Sequence, residues 1–316
     1  MELAIKADEL SKCYQSRKKI QAIKDLNFSI PNGILFGLVG PDGAGKTTTL
    51  RILSSVMKPS SGEAWVTGFN LKKNPEKARR RIGYMPQNFS LYSDLTVLEN
   101  LNFFADIQQV PGSEKQARIT EMLEFIRLNE FGNRRAGKLS GGMKKKLALA
   151  CAMVHNPQVL ILDEPSTGVD PVSRRELWVL LAEVVQKGVT VMVSTPYMDE
   201  AERCHQVGIL YQGSLLKTGT PEEIISDLPF GVIEVKAKPR KLMRQIISQS
   251  QDVLGWNPVG DRIRVLVSEN GAESKALRSL GREFTTNKME VSMMRPVRRT
   301  MEDAFVHLVK VQRGQA

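Results

Sequence analysis

The chain has 316 residues, with 45 basic and 34 acidic side chains, 41% hydrophobic residues and three cysteines. That length suits about two domains of ~150 residues, and the composition excludes a disulfide-stapled miniprotein and a disordered or fibrous chain. No run approaches the ~20 apolar residues of a spanning helix, and Glu2, Lys6, Asp8 and Glu9 stand where a signal peptide would be apolar. We therefore expect a cytosolic chain that does not itself cross the membrane.

The charge is unevenly distributed along the chain. Residues 231–316 hold 16 basic and 9 acidic side chains, an excess of +7, whereas the first 230 residues hold 29 and 25, an excess of +4. A basic tail admits an acidic partner, but few aromatic residues interleave with its charges, so we expect no nucleic-acid binding. The odd number of cysteines, Cys13, Cys151 and Cys204, predicts reduced thiols without a function.

The first part of the chain predicts an α/β sheet. Short strands are expected at residues 2–6 and 22–30, and a buried strand at 34–39 runs through a glycine-rich loop into a helix at 47–55. Apolar runs at 159–162 and 189–193 are typical of central parallel strands, and a helix predicted at 174–186 connects them. Residues 88–138 lack strand-like alternation and predict a helical insertion.

Past Pro229 the pattern changes to alternating short elements. We predict strands at 232–236, 262–267 and 290–293 and helices at 241–248, 274–280 and 301–311. This order favours a small α+β module of ferredoxin-like type.

Residues 40–47 read GPDGAGKT, two glycines around four residues and then Lys46 and Thr47. Glycines let backbone N–H groups turn toward phosphate oxygens, and the following helix adds its positive N-terminal end. Lys46 would supply a point charge and the Thr47 hydroxyl a Mg²⁺ ligand. A plain glycine-rich turn is the alternative, but the position between a strand and a helix favours a phosphate-binding loop.

Asp163 and Glu164 follow the apolar strand predicted at 159–162, at the sheet edge where ligands bind. Asp163 would hold Mg²⁺ and Glu164 would act as general base for an attacking water. Taken alone, the pair is equally consistent with a strand and an acidic turn.

Residues 139–143 read LSGGM and precede a predicted helix at 144–154, with Ser140 placed as its N-cap. One triphosphate rarely needs two anion-binding helix ends, so this second end would serve a nucleotide held by another subunit. A plain capped helix is the alternative.

Together these motifs resemble the ATP-binding subunits of ABC transporters over residues 2–228, with Tyr14, Gln87 and Asp170 also in the family's order. The resemblance implies that Tyr14 stacks on adenine, that Gln87 contacts Mg²⁺ and water and senses the membrane partner, and that Asp170 links the two sites of a dimer. The nucleotide-binding set it implies is Tyr14, Gly40, Pro41, Asp42, Gly43, Ala44, Gly45, Lys46, Thr47, Thr48, Ser140, Gly141, Gly142 and Asp170; the Mg²⁺ set is Thr47, Gln87 and Asp163; and the catalytic set is Glu164 and Gln87.

The same resemblance implies a P-loop ABC ATPase fold: a RecA-like parallel sheet, an antiparallel β subdomain and a helical subdomain at about 88–145, all within residues 1–228. A small α+β module would occupy 229–316. Segments 91–101 and 198–202 are similar to the subgroup that serves exporters with a separate ABC-2 type permease. The implied partners are such integral-membrane permeases and a second cassette, in a homodimer or heterodimer on the cytoplasmic face of the plasma membrane.

One position departs from the family. The family carries a histidine at the position two residues after Ser194, where it touches the γ-phosphate, whereas this chain has Pro196 there. Proline is expected to suit the first turn of a helix capped by Ser194 or Thr195, but it supplies no side-chain donor. In this respect the chain resembles the first half of exporter ATPases with two cassettes, so a single-cassette subunit and part of a tandem chain are both open.

Three functions are therefore compared. The leading hypothesis is the ATP-hydrolysing engine of an exporter, and the second is a regulatory half that binds ATP and turns it over slowly. A soluble ABC protein of translation or DNA repair is disfavoured, because residues 87–139 leave no room for a long coiled coil and neither a second cassette nor a charged linker is seen within these 316 residues.

Overall fold

The structure, a computed structural model, describes residues 2–15, 19–88, 91–268 and 273–314. The chain divides into two compact units, Met1–Pro221 and Glu222–Ala316. The boundary predicted from sequence, 228/229, falls a few residues later and stays a prediction. Within the described ranges, no helix combines the length and apolar character that crossing a bilayer requires.

The first unit is built from ten strands, seven α-helices and two short 3₁₀ helices, Asn129–Phe131 and Ala136–Lys138, in the described residues. Its strands are β1 (Leu3–Gln15), β2 (Lys19–Pro31), β3 (Leu35–Val39), β4 (Ser61–Val66), β5 (Phe69–Asn70), β6 (Ile82–Met85), β7 (Val159–Asp163), β8 (Thr190–Thr195), β9 (Gln206–Tyr211) and β10 (Ser214–Gly219). Its helices are α1 (Lys46–Leu53), α2 (Pro75–Arg79), α3 (Val97–Ile107), α4 (Gly112–Phe125), α5 (Gly141–Met153), α6 (Pro171–Gln186) and α7 (Met198–Ala201).

The main sheet runs in the order β10-β9-β3-β8-β7-β6. Its strands are parallel except for β10, which pairs antiparallel with β9 at one edge. Every residue of β3, β7 and β8 is buried, as continuous apolar runs covered on both faces require. The parallel sheet predicted from sequence is confirmed, and its carboxyl edge gathers the ends of β3, β7 and β8.

A second, antiparallel sheet has the order β2-β1-β4-β5. The first hairpin of this sheet pairs Tyr14 of β1 with Ile20 of β2. Strands β1 and β2 have 13 residues each and are longer than the short strands expected at residues 2–6 and 22–30. The apolar residues of both sheets join in one core, which includes Leu10, Ile30 and Leu50. The predicted antiparallel subdomain is therefore confirmed.

The predicted helical insertion contains α3, α4 and the start of α5, which pack on one another. Helix α3 begins at a capping box in which Thr96 accepts the Glu99 N–H and the Glu99 carboxylate accepts the Thr96 N–H. Phe89 and Ser90, at the start of this segment, lie outside the described residues.

The second unit begins within α8 (Pro221–Ser226) and has a four-stranded antiparallel sheet in the order β12-β13-β11-β14. Its elements are β11 (Gly231–Lys238), α9 (Arg240–Gln249), β12 (Val253–Val259), β13 (Arg262–Val267), α10 (Glu273–Thr286), β14 (Glu290–Pro296) and α11 (Met301–Gln312). The inward residues of β11 and β13 pack with α9 and α10 around Phe284. This βαββαβ order is the ferredoxin-like topology that the sequence predicted, although strand β12 had not been predicted.

Candidate functional site

The glycine-rich loop joins β3 to α1 at the carboxyl edge of the main sheet. Gly45 adopts a φ of 108°, and a Cβ there would lie 2.5 Å from the carbonyl oxygen of Ala22. Both the backbone angle and the close approach require glycine at this position. The loop therefore wraps tightly around the first residue of α1, Lys46.

Lys46 is 4% exposed, and its ammonium is held by several oxygens. It donates to the carbonyl oxygens of Gly40 (2.8 Å) and Pro41 (3.1 Å), and it lies 3.2 Å from Glu164 Oε1. Asp42, at 3.9 Å, is almost fully exposed and adds little. The lysine charge is thus fixed between the loop and the carboxylate at the end of β7.

Asp163 is fully buried, and only one of its carboxylate oxygens is hydrogen-bonded. Oδ1 accepts from the hydroxyls of Ser194 (2.6 Å) and Thr47 (3.2 Å), whereas Oδ2 is buried with no partner among the described residues. Burial raises the pKa of this carboxyl, and the bonds from Ser194 and Thr47 oppose the rise. A buried oxygen without a partner, beside a hydroxyl, fits a hard cation such as Mg²⁺ that completes its shell with phosphate and water.

Glu164 has an unusual backbone, with a φ of 49°, which for a non-glycine residue costs about 1–3 kcal/mol. Its N–H donates to Ser194 Oγ (3.0 Å), so the serine fixes the strained residue as well as Asp163. The carboxylate accepts from Gln87 Nε2 (3.0 Å) and from the Thr167 hydroxyl (3.3 Å). With this backbone conformation, the Glu164 side chain points away from β7 and contacts Lys46 and Gln87.

The phosphate loop borders a cavity of about 360 Å³, which is lined by Lys46, Thr47, Gln87 and Glu164. Tyr14 lines the same cavity. The Tyr14 hydroxyl lies 3.2 Å from Thr48 Oγ1, a residue of α1. Ile20 and Ala22 of the neighbouring strand line the cavity beside it and form an apolar platform. The sequence analysis did not single out these two residues, because neither belongs to a motif and Ile20 is itself 56% exposed.

The signature segment, residues 139–143, behaves locally as predicted. Ser140 caps α5 by accepting the Met143 N–H at 3.2 Å. A Cβ on Gly142 would lie 2.2 Å from Ser173 Oγ, so glycine lets α5 pack closely on α6, while Gly141 is exposed. Asp170 caps α6 through the N–H groups of Val172 and Ser173 (3.1 and 3.0 Å), and these bonds lower its pKa.

The structure does not bring every predicted residue together. Gly141 lines a second cleft of about 570 Å³ with Gln87, Thr167 and Gly168, and neither the signature nor Asp170 lines the cavity of the phosphate loop. Within the described residues, the signature and Asp170 therefore lie at other parts of the surface and do not face the phosphate loop of their own chain. Gln87 is the residue common to both openings.

The expectation that Pro196 lies in the first turn of a helix is wrong. Helix α7 begins at Met198 with Tyr197 as N-cap, although the Thr195 hydroxyl still accepts the Tyr197 N–H at 3.1 Å while it donates to Glu200; the Ser194 hydroxyl donates to Asp163 instead. Pro196 instead follows the residue whose carbonyl oxygen accepts the Gly40 N–H at 3.3 Å. It therefore lies directly beside the phosphate loop.

A buried carboxylate holds this segment, and sequence analysis missed it. Glu200, fully buried, accepts from the Thr195 hydroxyl, from Arg174 Nε (2.6 Å) and from Trp178 Nε1 (3.1 Å). Ser194 was also missed, although its hydroxyl donates to the Asp163 carboxylate and accepts the Glu164 main-chain N–H. No motif marks Ser194, and its pairing with Asp163 on adjacent parallel strands is visible only in the structure.

Comparison with known proteins gives the family. A family model described as ABC transporter matches residues 23–167. The probable multidrug ABC transporter ATP-binding protein YbhF of Escherichia coli K12 is 50% identical over 203 residues, 64% of this chain, which spans only 35% of that relative's length. The Nod factor export ATP-binding protein I of Paraburkholderia xenovorans is 39% identical over 236 residues, 74% of this chain and 77% of the relative.

Solved structures agree with the fold. The ATP-binding cassette MJ0796, in a dimeric post-hydrolysis state bound to ADP and Pi, has a TM-score of 0.63 and 28% identity and covers 68% of this chain and 98% of that one. The ferredoxin-like second unit lies beyond the length of such a cassette. Because the chain shares 39% identity with the Nod factor export ATP-binding protein I over 77% of that relative's length, it belongs to the ABC transporter family of ATP-binding proteins.

Proposed function

We propose that this chain binds and hydrolyses ATP to power an ABC-type membrane exporter. The observation that carries the proposal is the run of contacts from Lys46 through Glu164 to Gln87 in the cavity that Thr47 also lines, with the buried Asp163 carboxylate accepting from the Thr47 hydroxyl. The names of the relatives, which refer to multidrug and Nod factor export, support the direction of transport.

ATP would lie with its phosphates on the loop and its base at Tyr14. The backbone N–H groups of the loop and the start of α1 would receive the β- and γ-phosphates, and Ile20 would extend the apolar platform for adenine. Thr47, Asp163 and Gln87 would hold Mg²⁺, which when bound neutralises charge on the phosphates. A γ-phosphate oxygen would compete with Glu164 for the Lys46 ammonium and so release the carboxylate.

Glu164 then acts as the general base. It takes a proton from a water that attacks the γ-phosphorus, the bond to the β–γ bridging oxygen breaks, and ADP and phosphate form. Gln87 donates to Glu164 and would orient the water once Glu164 is released from Lys46. Two cassettes would complete each site head to tail, with Ser140, Gly141, Gly142 and Asp170 of one facing the nucleotide of the other.

The permease would dock on residues 88–101, next to Gln87, on the cytoplasmic face of the membrane. Tyr92 is 48% exposed, and its ring lies 4.5 Å from that of Phe103, so the segment presents an aromatic surface. A short cytoplasmic helix of an ABC-2 type permease is the proposed occupant. Phe89 and Ser90 of this segment are outside the described residues.

The test is Glu164→Gln, which keeps the shape of the base and removes its proton affinity. We expect ATP affinity close to wild type, loss of turnover, and a dimer in size-exclusion chromatography that forms only with MgATP. Glu130→Gln, an exposed change of the same kind, is the control. A variant that binds ATP and stays monomeric would refute the composite site, and a wild-type protein that binds no ATP would refute the nucleotide site.

Pro196 favours a second candidate, a half that holds ATP and turns it over slowly. A preorganised donor at a reacting phosphoryl group is worth roughly 3 kcal/mol, and proline has none. Pro196→His should therefore raise single-turnover hydrolysis at saturating MgATP by at least tenfold, which needs only about 1.4 kcal/mol, with ATP affinity unchanged. A wild-type rate equal to that of the variant would rule out the slow half.

A further inference from the structure

Lys145 is a half-buried lysine on the first turns of α5, three residues after Gly142. Its ammonium lies 3.4 Å from the main-chain carbonyl oxygen of Gln87 and lines the second cleft with that residue. The acidic groups whose charges act on it are the site carboxylates, Glu164 and Asp163. The predicted functions of the loop, the base and the signature leave this cation unused.

The contact is continuous with the nucleotide site. Lys145 meets the carbonyl oxygen of Gln87, and the side-chain amide of the same Gln87 donates to Glu164, which contacts Lys46. The start of helix α5, which carries the lysine, is held in place because the Gly142 backbone packs directly on Ser173 of α6. A long side chain from a fixed helix can therefore set the position of a segment that otherwise borders an open cleft.

We propose that Lys145 is a positioning residue: it fixes the Gln87 segment to the signature helix of the same chain and so orients the Gln87 amide on Glu164. The inference rests on the proposed ATPase function for its kinetic consequence, although not for the contact itself. Because Ser140 and Gly141 at the start of α5 would face a second nucleotide, Lys145 also joins the two ends of a composite site within one chain.

The neighbouring residue provides a matched control. Lys144 is exposed on the same turn of α5; its main-chain N–H donates to the Ser140 carbonyl oxygen, and its side chain forms no hydrogen bond or ion pair within the described ranges. Lys144→Gln therefore removes the same charge from the same helix and leaves the Gln87 contact in place. Lys145→Gln removes the charged donor, and Lys145→Arg keeps the charge and the reach.

Two measurements on the full chain test the proposal. Hydrogen exchange without nucleotide should be faster around Gln87 in Lys145→Gln than in Lys144→Gln or Lys145→Arg. Steady-state hydrolysis should show a kcat reduced about tenfold in Lys145→Gln, with the Kd for a fluorescent ATP analogue unchanged and most activity recovered in Lys145→Arg.

The outcomes separate the two proposals. Equal exchange around Gln87 in the two glutamine variants would overturn the role of Lys145, whether or not the protein hydrolyses ATP. A wild-type chain without ATP binding would instead overturn the proposed function, and exchange would still decide the contact. Faster exchange with an unchanged kcat would show that Lys145 holds the segment without serving hydrolysis, which also refutes the proposal.

Discussion

Glu200→Ala is expected to destabilise the first unit by about 3 kcal/mol, because it removes the acceptor shared by three donors. Glu200 is fully buried between β8 and α6, and it accepts from Thr195, Arg174 and Trp178. The alanine leaves the indole N–H and the Thr195 hydroxyl without their partner inside the protein. It also leaves the guanidinium with one carboxylate fewer.

The magnitude follows from the surroundings of Arg174. Removing one partner of a buried ion pair typically costs about 3–5 kcal/mol. Arg174 is 26% exposed and keeps Asp199 at 2.7 Å, so the lower end of that range applies. For a domain of 150–250 residues, each kcal/mol lowers Tm by about 2–4 °C, so we expect a decrease of about 6–12 °C.

Thermal unfolding followed by circular dichroism is the assay, with intrinsic fluorescence, to which Trp178 contributes beside Trp65 and Trp256, as a second probe. Asp199→Ala is the control, because it removes the other carboxylate of the same Arg174 at a position that is 67% exposed. A surface pair is worth about 0–1 kcal/mol, so this variant should lose at most about 4 °C. Equal losses in the two variants would show that burial of Glu200 does not set its contribution.

Three further changes probe the site and the docking surface. Lys46→Ala should weaken ATP binding in equilibrium titration, because it removes the charge that faces the phosphates, and equal affinity of both proteins would contradict the assigned site. Asp163→Asn should raise Tm at neutral pH without nucleotide and should abolish stabilisation by MgATP. The raised pKa of Asp163 in the folded state means that its ionised form destabilises the fold at pH values above its pKa in the unfolded chain, and asparagine carries no charge; a lower Tm would contradict this. Tyr92→Ala should uncouple export and leave basal ATP turnover, whereas Val56→Ala, also exposed, should change neither; unchanged export in Tyr92→Ala would favour a packing role.

Periodicity and turn residues predicted most of the second unit, including β13 at its observed bounds, but not β12. Strand β12 contains Gly255 and Pro258, residues that argue against a central strand. It lies at the edge of the sheet, where proline needs no ladder partner on its outer side, and tertiary pairing with β13 overrides its low propensity. Only the fold around it defines such a strand.

The site shows the same limit for side chains. Lys46, Asp163 and Glu164 could be identified because each lies within a short motif next to a recognisable strand or helix. Ser194 and Glu200 could not, because their partners are distant in sequence and meet them only through strand pairing and helix packing. Motifs therefore predict which groups react, while the groups that position them depend on the register of the sheet.

Position 196 can be tested cleanly because its neighbours carry the structural contacts. Ser194 donates to the Asp163 carboxylate and accepts the Glu164 main-chain N–H, and Thr195 bonds to Glu200 through its hydroxyl and to the loop through its carbonyl oxygen. The two histidines of the first unit lie at the amino ends of the parallel strands, where His205 accepts the Leu35 N–H and His155 contacts the carbonyl oxygen of Ile82. That edge is opposite the phosphate loop, so neither histidine replaces the one absent at 196. A change in turnover on restoring it would therefore report chemistry at the phosphate and not repair of the fold.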